Sequence, residues 1–202
     1  QAAAATGSSV SKITRLELGK GWAKPSYVDD LLALYGVVSG TERAALLAMT
    51  EQAGVPGWWS AYSDVIPHWF EPYLGLEQGA KIIRTFEVQV VPGLLQTAEY
   101  ARAVIRLGHL RAPKGEIDRR VRLRMRRQEI LHAPDGPALW AVMDEAALRR
   151  PIGGPATMRA QLRHLIEIAE LPNVTIQVVP FGTGGHPAIG GPITILRFPA
   201  SQ

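Results

Sequence analysis

The hydrophobic pattern of this chain changes period along its length, and that change limits the folds open to it. Through residue 54 the apolar residues recur at helical spacing, in runs such as "KPSYVDDLLALYGV" and "SGTERAALLAMTEQAG". Beyond residue 138 the period shifts. "ALWAVMDEAAL" begins as a strand, "TMRAQLRHLIEIAELP" is an amphipathic helix, and "NVTIQVVPF" and "PITILRF" are β-rich runs joined by the glycine-laden "GTGGHPAIGG". The pattern predicts an α+β chain: an all-helical region over 1–54, and over 55–202 a mixed domain with a small, mostly antiparallel sheet and packed helices.

The helical region has its own internal signal. "QAAAATGSSVSKITRLELGK" reads as two short helices broken at Gly7, with Gly19 and Gly21 ending the second. A helix-turn-helix needs a small residue where its helices cross, a glycine at the turn and a branched apolar residue inside the second helix. Ala3, Gly7 and Ile13 supply them in that order. Gly7 can adopt positive φ at the turn, and Ser9 can cap the second helix. With Val10, Ile13 and Leu16 turned inward, Ser11, Lys12, Thr14 and Arg15 project outward, and Lys20 stands at the helix end. Hydroxyls and cations in this array suit base edges and phosphates. The spacing alone fits a solvated amphipathic face equally well.

The net charge of +4 agrees with an anionic partner without requiring one. At 47% hydrophobic and 20% charged residues, the chain can bury a real core. The chain has no cysteine, which removes disulfides, thiolate zinc sites and a cysteine nucleophile. No apolar run reaches membrane-spanning length, and "QAAAATG" lacks the features of a signal peptide, so the expected location is cytoplasmic.

Between the two regions, Pro56, Pro67 and Pro72 crowd together with Trp58, Trp59 and Trp69. This reads as a packed hinge. The aromatics either line an apolar pocket or form a plain interdomain core. If a small molecule is bound, the pocket reading assigns Trp58, Trp59, Trp69 and Phe70 to it, together with Pro92, Leu95 and Gln96 of the "VPGLLQ" turn and His186 of the glycine-rich loop.

Several other constellations carry little chemistry. The five histidines never approach metal-ligand spacing, so no metal or cofactor is expected. The glycine-rich loop has no Gly-Lys-Ser/Thr and reads as a hairpin loop. Asp144 and Glu145, adjacent on a strand, would point to opposite faces. The basic run Arg119, Arg120, Arg122, Arg124, Arg126 and Arg127 spreads around its helix. Glu116, Asp118 and Glu129 are close enough to pair with it, so it reads as a salt-bridged helix or, less simply, as a surface for an acidic partner.

Residues 3–37 resemble the latter part of a helix-turn-helix of the xenobiotic-response-element type found in phage-repressor-like regulators. "FEVQVVPGLLQTAEYARAV", "RLRMRRQEIL", "AVMDEAALRRPIGGP", "MRAQLRHLIEIAELPNVTIQVVPF" and "GGHPAIGGPITILRF" resemble the large C-terminal domain of an actinobacterial family of such regulators. The resemblance implies a transcriptional regulator that binds double-stranded DNA, as a homodimer in the manner of the motif. It also implies a C-terminal domain that senses a small ligand or holds a small, antitoxin-like partner protein. It further implies a DNA-domain helix before residue 1 and a stretch after "ILRFPAS", so the chain is expected to be a fragment. A second expectation is an enzyme of small-molecule metabolism on a regulator-like scaffold, marked by a deep aromatic pocket with His186 or Glu145 inside.

Overall fold

The computed structural model describes residues 2–18, 22–54, 57–188 and 190–199. They divide into two compact units, Gln1–Ser60 and Ala61–Gln202. Each is built around its own buried residues.

The first unit is helical: α1 (Ala2–Ala5), α2 (Val10–Glu17), α3 (Pro25–Leu34) and α4 (Gly40–Gly54). The link between α1 and α2 is a glycine-capped helix end. Gly7 takes φ 61°, and the Ser8 N–H donates back to the Ala3 carbonyl at 2.9 Å. Two residues on, the Ser9 hydroxyl accepts the Lys12 N–H at 3.2 Å and starts α2. The end of α3 repeats the glycine device at Gly36, φ 76°, with the Val37 N–H on the Leu32 carbonyl at 2.9 Å. Ser39 caps α4 by accepting the Glu42 N–H.

Among the described residues, Ile13, Ala23 and Leu32 are the buried apolar side chains of this unit. Polar ties fasten its outer parts. Arg43 of α4 pairs with the Asp29 carboxylate at 2.8 Å and donates to the Asp29 carbonyl at 3.1 Å, while the Trp22 indole N–H donates to the Thr50 carbonyl at 3.1 Å. Leu34 and Tyr35 are exposed, so α3 buries a narrower stripe than its sequence suggests.

The second unit holds a four-stranded sheet of β1 (Ile82–Glu87), β2 (Ala138–Asp144), β3 (Val174–Val179) and β4 (Ile193–Arg197), in the order β3-β2-β1-β4. The class is α+β as expected, but mostly antiparallel pairing is corrected. β1 and β2 run parallel, as do β2 and β3, and only β4 is antiparallel, against β1. The connections impose this. After α5 (Glu71–Gly79) leads into β1, α6 (Ala98–Gly108) and α7 (Lys114–Gln128) carry the chain from β1 to β2; α8 (Glu145–Arg149) and α9 (Pro155–Ile168) carry it from β2 to β3. A helical crossover returns the chain to the same end of the sheet and leaves the next strand parallel.

The two β-rich runs read as a hairpin do not pair with each other. They occupy opposite edges of the sheet, so the glycine-rich segment is a crossing connection.

One sheet face packs on α6 and α9 through Ile83, Leu139, Ala141, Met143 and Val174 with Tyr100, Leu165 and Ile168. Met158, Gln161, Leu165 and Ile168 form the buried stripe of α9 at spacings of three and four residues. Gln161 holds a core place because its amide is fully used: its N–H donates to the Leu95 carbonyl and its oxygen accepts the Thr97 N–H, both at 2.7 Å. On the other face Trp140, Ile193 and Ile195 stand exposed, aligned with one another through the Arg84 and Phe86 registers.

Candidate functional site

The exposed side of α2 is the first candidate. Ile13 faces inward, and Ser9, Ser11, Lys12, Thr14 and Arg15 are exposed. Ser9, Ser11, Lys12 and Arg15 gather around one shallow groove that Leu16 and Trp22 also line. Lys12 is braced, with its Nζ 4.2 Å from the centre of the Tyr27 ring. The Tyr27 hydroxyl in turn lies 3.0 Å from the Thr6 hydroxyl. The Ser9 hydroxyl is turned into its own helix as the cap.

Val10 is 73% exposed instead of buried; within α2 the buried residue is Ile13, one turn further on. Lys20, with Gly19 and Gly21, lies outside the described residues.

Trp58 and Trp59 meet edge-on at 5.9 Å within the turn Trp58–Tyr62. Trp69 and Phe70 belong to the second unit, where they line a pocket of about 210 Å³ together with Val65, Pro67, Ile105 and Leu123. Arg120, Arg124, Arg127 and His109 complete it. Pro92 lines a smaller cleft of about 50 Å³ beside Glu87 and Thr194. Leu95 and Gln96 are core residues; Gln96 is 1% exposed and donates to the Val91 carbonyl at 2.6 Å. His186 stacks edge-on against Phe86 at 5.5 Å. Of the eight residues expected to form one pocket, Trp69 and Phe70 come together there.

The pocket's arginines come from the basic run, and most of that run is paired. Arg119 donates to the Asp64 carboxylate at 2.6 Å and the Ala61 carbonyl at 2.7 Å. Arg120 pairs with Glu116 at 2.9 Å and donates to the Val65 carbonyl at 2.8 Å; Arg126 pairs with Glu129. Arg127 makes a two-pronged ion pair with Glu77, one arm at 2.7 Å, and lies over the Phe70 and Tyr73 rings. The Tyr73 hydroxyl donates to Glu77 at 3.0 Å, and burial, with the Glu77 charge adding, pushes it up to about 12.

Arg124 differs. It donates to the neutral Gln96 side chain at 2.7 Å, and among the described residues it makes no ion pair. Burial first, and then the neighbouring Arg127 charge, bring its guanidinium down to about 10. Sequence reasoning missed this group, because six arginines in close succession look alike until Glu77, Asp64 and Gln96 arrive from distant segments.

Neither residue expected of an enzyme lines the pocket: besides His186 on Phe86, Glu145 accepts the Phe181 N–H at 2.7 Å and pairs with Arg149. Asp144 caps α8 by accepting the Ala146 N–H. Among the described residues no cluster of three His, Asp or Glu side chains could hold a metal, and no helix is long and apolar enough to cross a membrane.

A helix-turn-helix domain matches residues 1–46, which cover α1, α2, α3 and the start of α4, and this match supports a DNA-binding regulator. No curated protein and no solved structure matches the chain. Residues 70–202, and with them the sheet, its crossover helices and the arginine-bearing α7, match the domain of unknown function DUF5753; as that match spans well over half of its length, the chain belongs to this family.

Proposed function

We propose that this chain is a transcription regulator of the xenobiotic-response-element type, which lays α2 in the major groove of its operator and carries a ligand-sensing C-terminal unit. The observation that bears most weight is the array Ser11, Lys12, Thr14 and Arg15, exposed on one helix whose Ile13 is buried and whose entry is fixed by the Gly7 turn. Arg15 and Lys12 would meet guanine edges and phosphates, Ser11 and Thr14 would make finer contacts, and the exposed Val10 methyls suit a thymine methyl. Lys20 would extend the phosphate contacts. Ser9 acts through the helix it caps.

A dimer of such motifs reads two half-sites about one helical turn apart. We place the sensing role in the pocket beside Trp69, where apolar walls and an arginine without a carboxylate partner converge. The antitoxin-like partner that the family resemblance suggests would instead cover the open sheet face at Trp140, Ile193 and Ile195. The test is a mobility shift of DNA from upstream of the chain's own gene. The reading expects a discrete complex that unlabelled operator competes away and random DNA does not.

A further inference from the structure

We infer that the pocket bounded by Trp69, Phe70, Ile105 and Leu123 binds a compact carboxylate with an aromatic or branched apolar body, and that Arg124 is its anchor. The inference deepens the sensing role proposed above and rests on it.

Three observations converge. The walls are apolar, and at about 210 Å³ the cavity suits a single ring better than a nucleotide. The charges on its border do not balance in the same way at each arginine. Arg120 is committed to Glu116 and Arg127 to Glu77, which leaves Arg124 with one hydrogen bond to a neutral amide. A guanidinium has five N–H donors in a planar fork, which a carboxylate satisfies two at a time. Glu87 is close enough to favour the Arg124 charge, but burial pushes its own carboxyl up, and among the described residues no salt bridge joins it to that arginine.

One unpaired guanidinium also sets the charge of the ligand. It matches one carboxylate, whereas Arg120 and Arg127, already paired, offer no second free guanidinium to a phosphate dianion. Arg124 reaches the interior as well: its partner Gln96 holds the Val91 carbonyl, and the Gln96 carbonyl accepts from Gln128 at 2.8 Å. An anion drawing on Arg124 therefore pulls on the turn that precedes α6.

The probe is benzoate, titrated against the full chain without DNA and followed by saturation-transfer NMR, with benzamide and phenyl phosphate as comparisons. Benzoate is expected to bind at least about tenfold more tightly than neutral benzamide, the size of a charge-assisted contact, and no more weakly than phenyl phosphate. Arg124→Gln should abolish the benzoate preference while leaving benzamide unchanged. Trp69→Ala, at a side chain 77% exposed, keeps the fold and should weaken both ligands alike. Equal binding of benzoate and benzamide, tighter binding of phenyl phosphate, or a benzoate preference that survives Arg124→Gln overturns the assignment. Lost benzoate binding with operator binding intact counts against the pocket alone; lost operator binding with benzoate binding intact counts against the regulator reading alone.

Discussion

Arg127 of α7 and Glu77 of α5 (Glu71–Gly79) form a two-pronged ion pair in which Glu77 is only 2% exposed. Its acceptor atoms also receive the Tyr73 hydroxyl, so the carboxylate is held from two sides. The two paired residues lie fifty positions apart in sequence.

Removing one partner strands the other charge in the interior. Arg127→Met should destabilise the C-terminal unit by about 3–5 kcal/mol, a large share of a domain's stability. Replacing both, with Glu77→Leu added, should recover most of that loss. Urea unfolding of the single and double variants reads the difference. A double variant no more stable than the single one would show that the geometry of the pair, and not the unpaired charge, sets the penalty.

The acid side of the stability curve should follow carboxylates on α7 and near it. The Arg102 guanidinium hydrogen bonded to Asp118 holds that carboxyl below its usual range, and Arg119 does the same for Asp64. A depressed carboxyl stabilises the fold above its unfolded value, about 3.9, and loses that contribution as pH falls through the lower folded value. The melting temperature should therefore decline below about pH 4. Asp118→Asn should lower it at neutral pH and flatten the acid decline; an unchanged acid limb would assign the decline to other groups.

Gly7 tests the geometry of the turn. With φ at 61° and nothing within 4 Å of an added Cβ, a substitution there meets backbone strain and no clash. Gly7→Ala should destabilise the helical unit by about 1 kcal/mol, and Gly7→Asn by less, since asparagine tolerates the left-handed region. Equal losses for the two would point to a steric cause.

How much of this was legible in the sequence depended on the range of the signal. The Gly7 turn, the Ser9 cap and the buried Ile13 are set within a few residues, so spacing alone located them. The sheet is mixed rather than mostly antiparallel because β3 and β4, which look like a hairpin in sequence, lie at opposite edges, and strand order is decided by the packing of α6 and α9 on one face. The pocket was half legible. Trp69 and Phe70 stood out by type, but Gln96 and Leu95 proved to be core, and Arg124 became distinctive only when its neighbours found carboxylates and it did not.

The proposal that α2 reads DNA is tested by the salt dependence of operator binding by the full chain, compared with Arg15→Ala. Affinity should fall steeply and linearly on a log-log plot, with Arg15→Ala weakening binding by about 1–3 kcal/mol and relaxing the preference at one base position. Binding that is insensitive to salt, or an Arg15→Ala variant that binds the operator as the parent does, would contradict it.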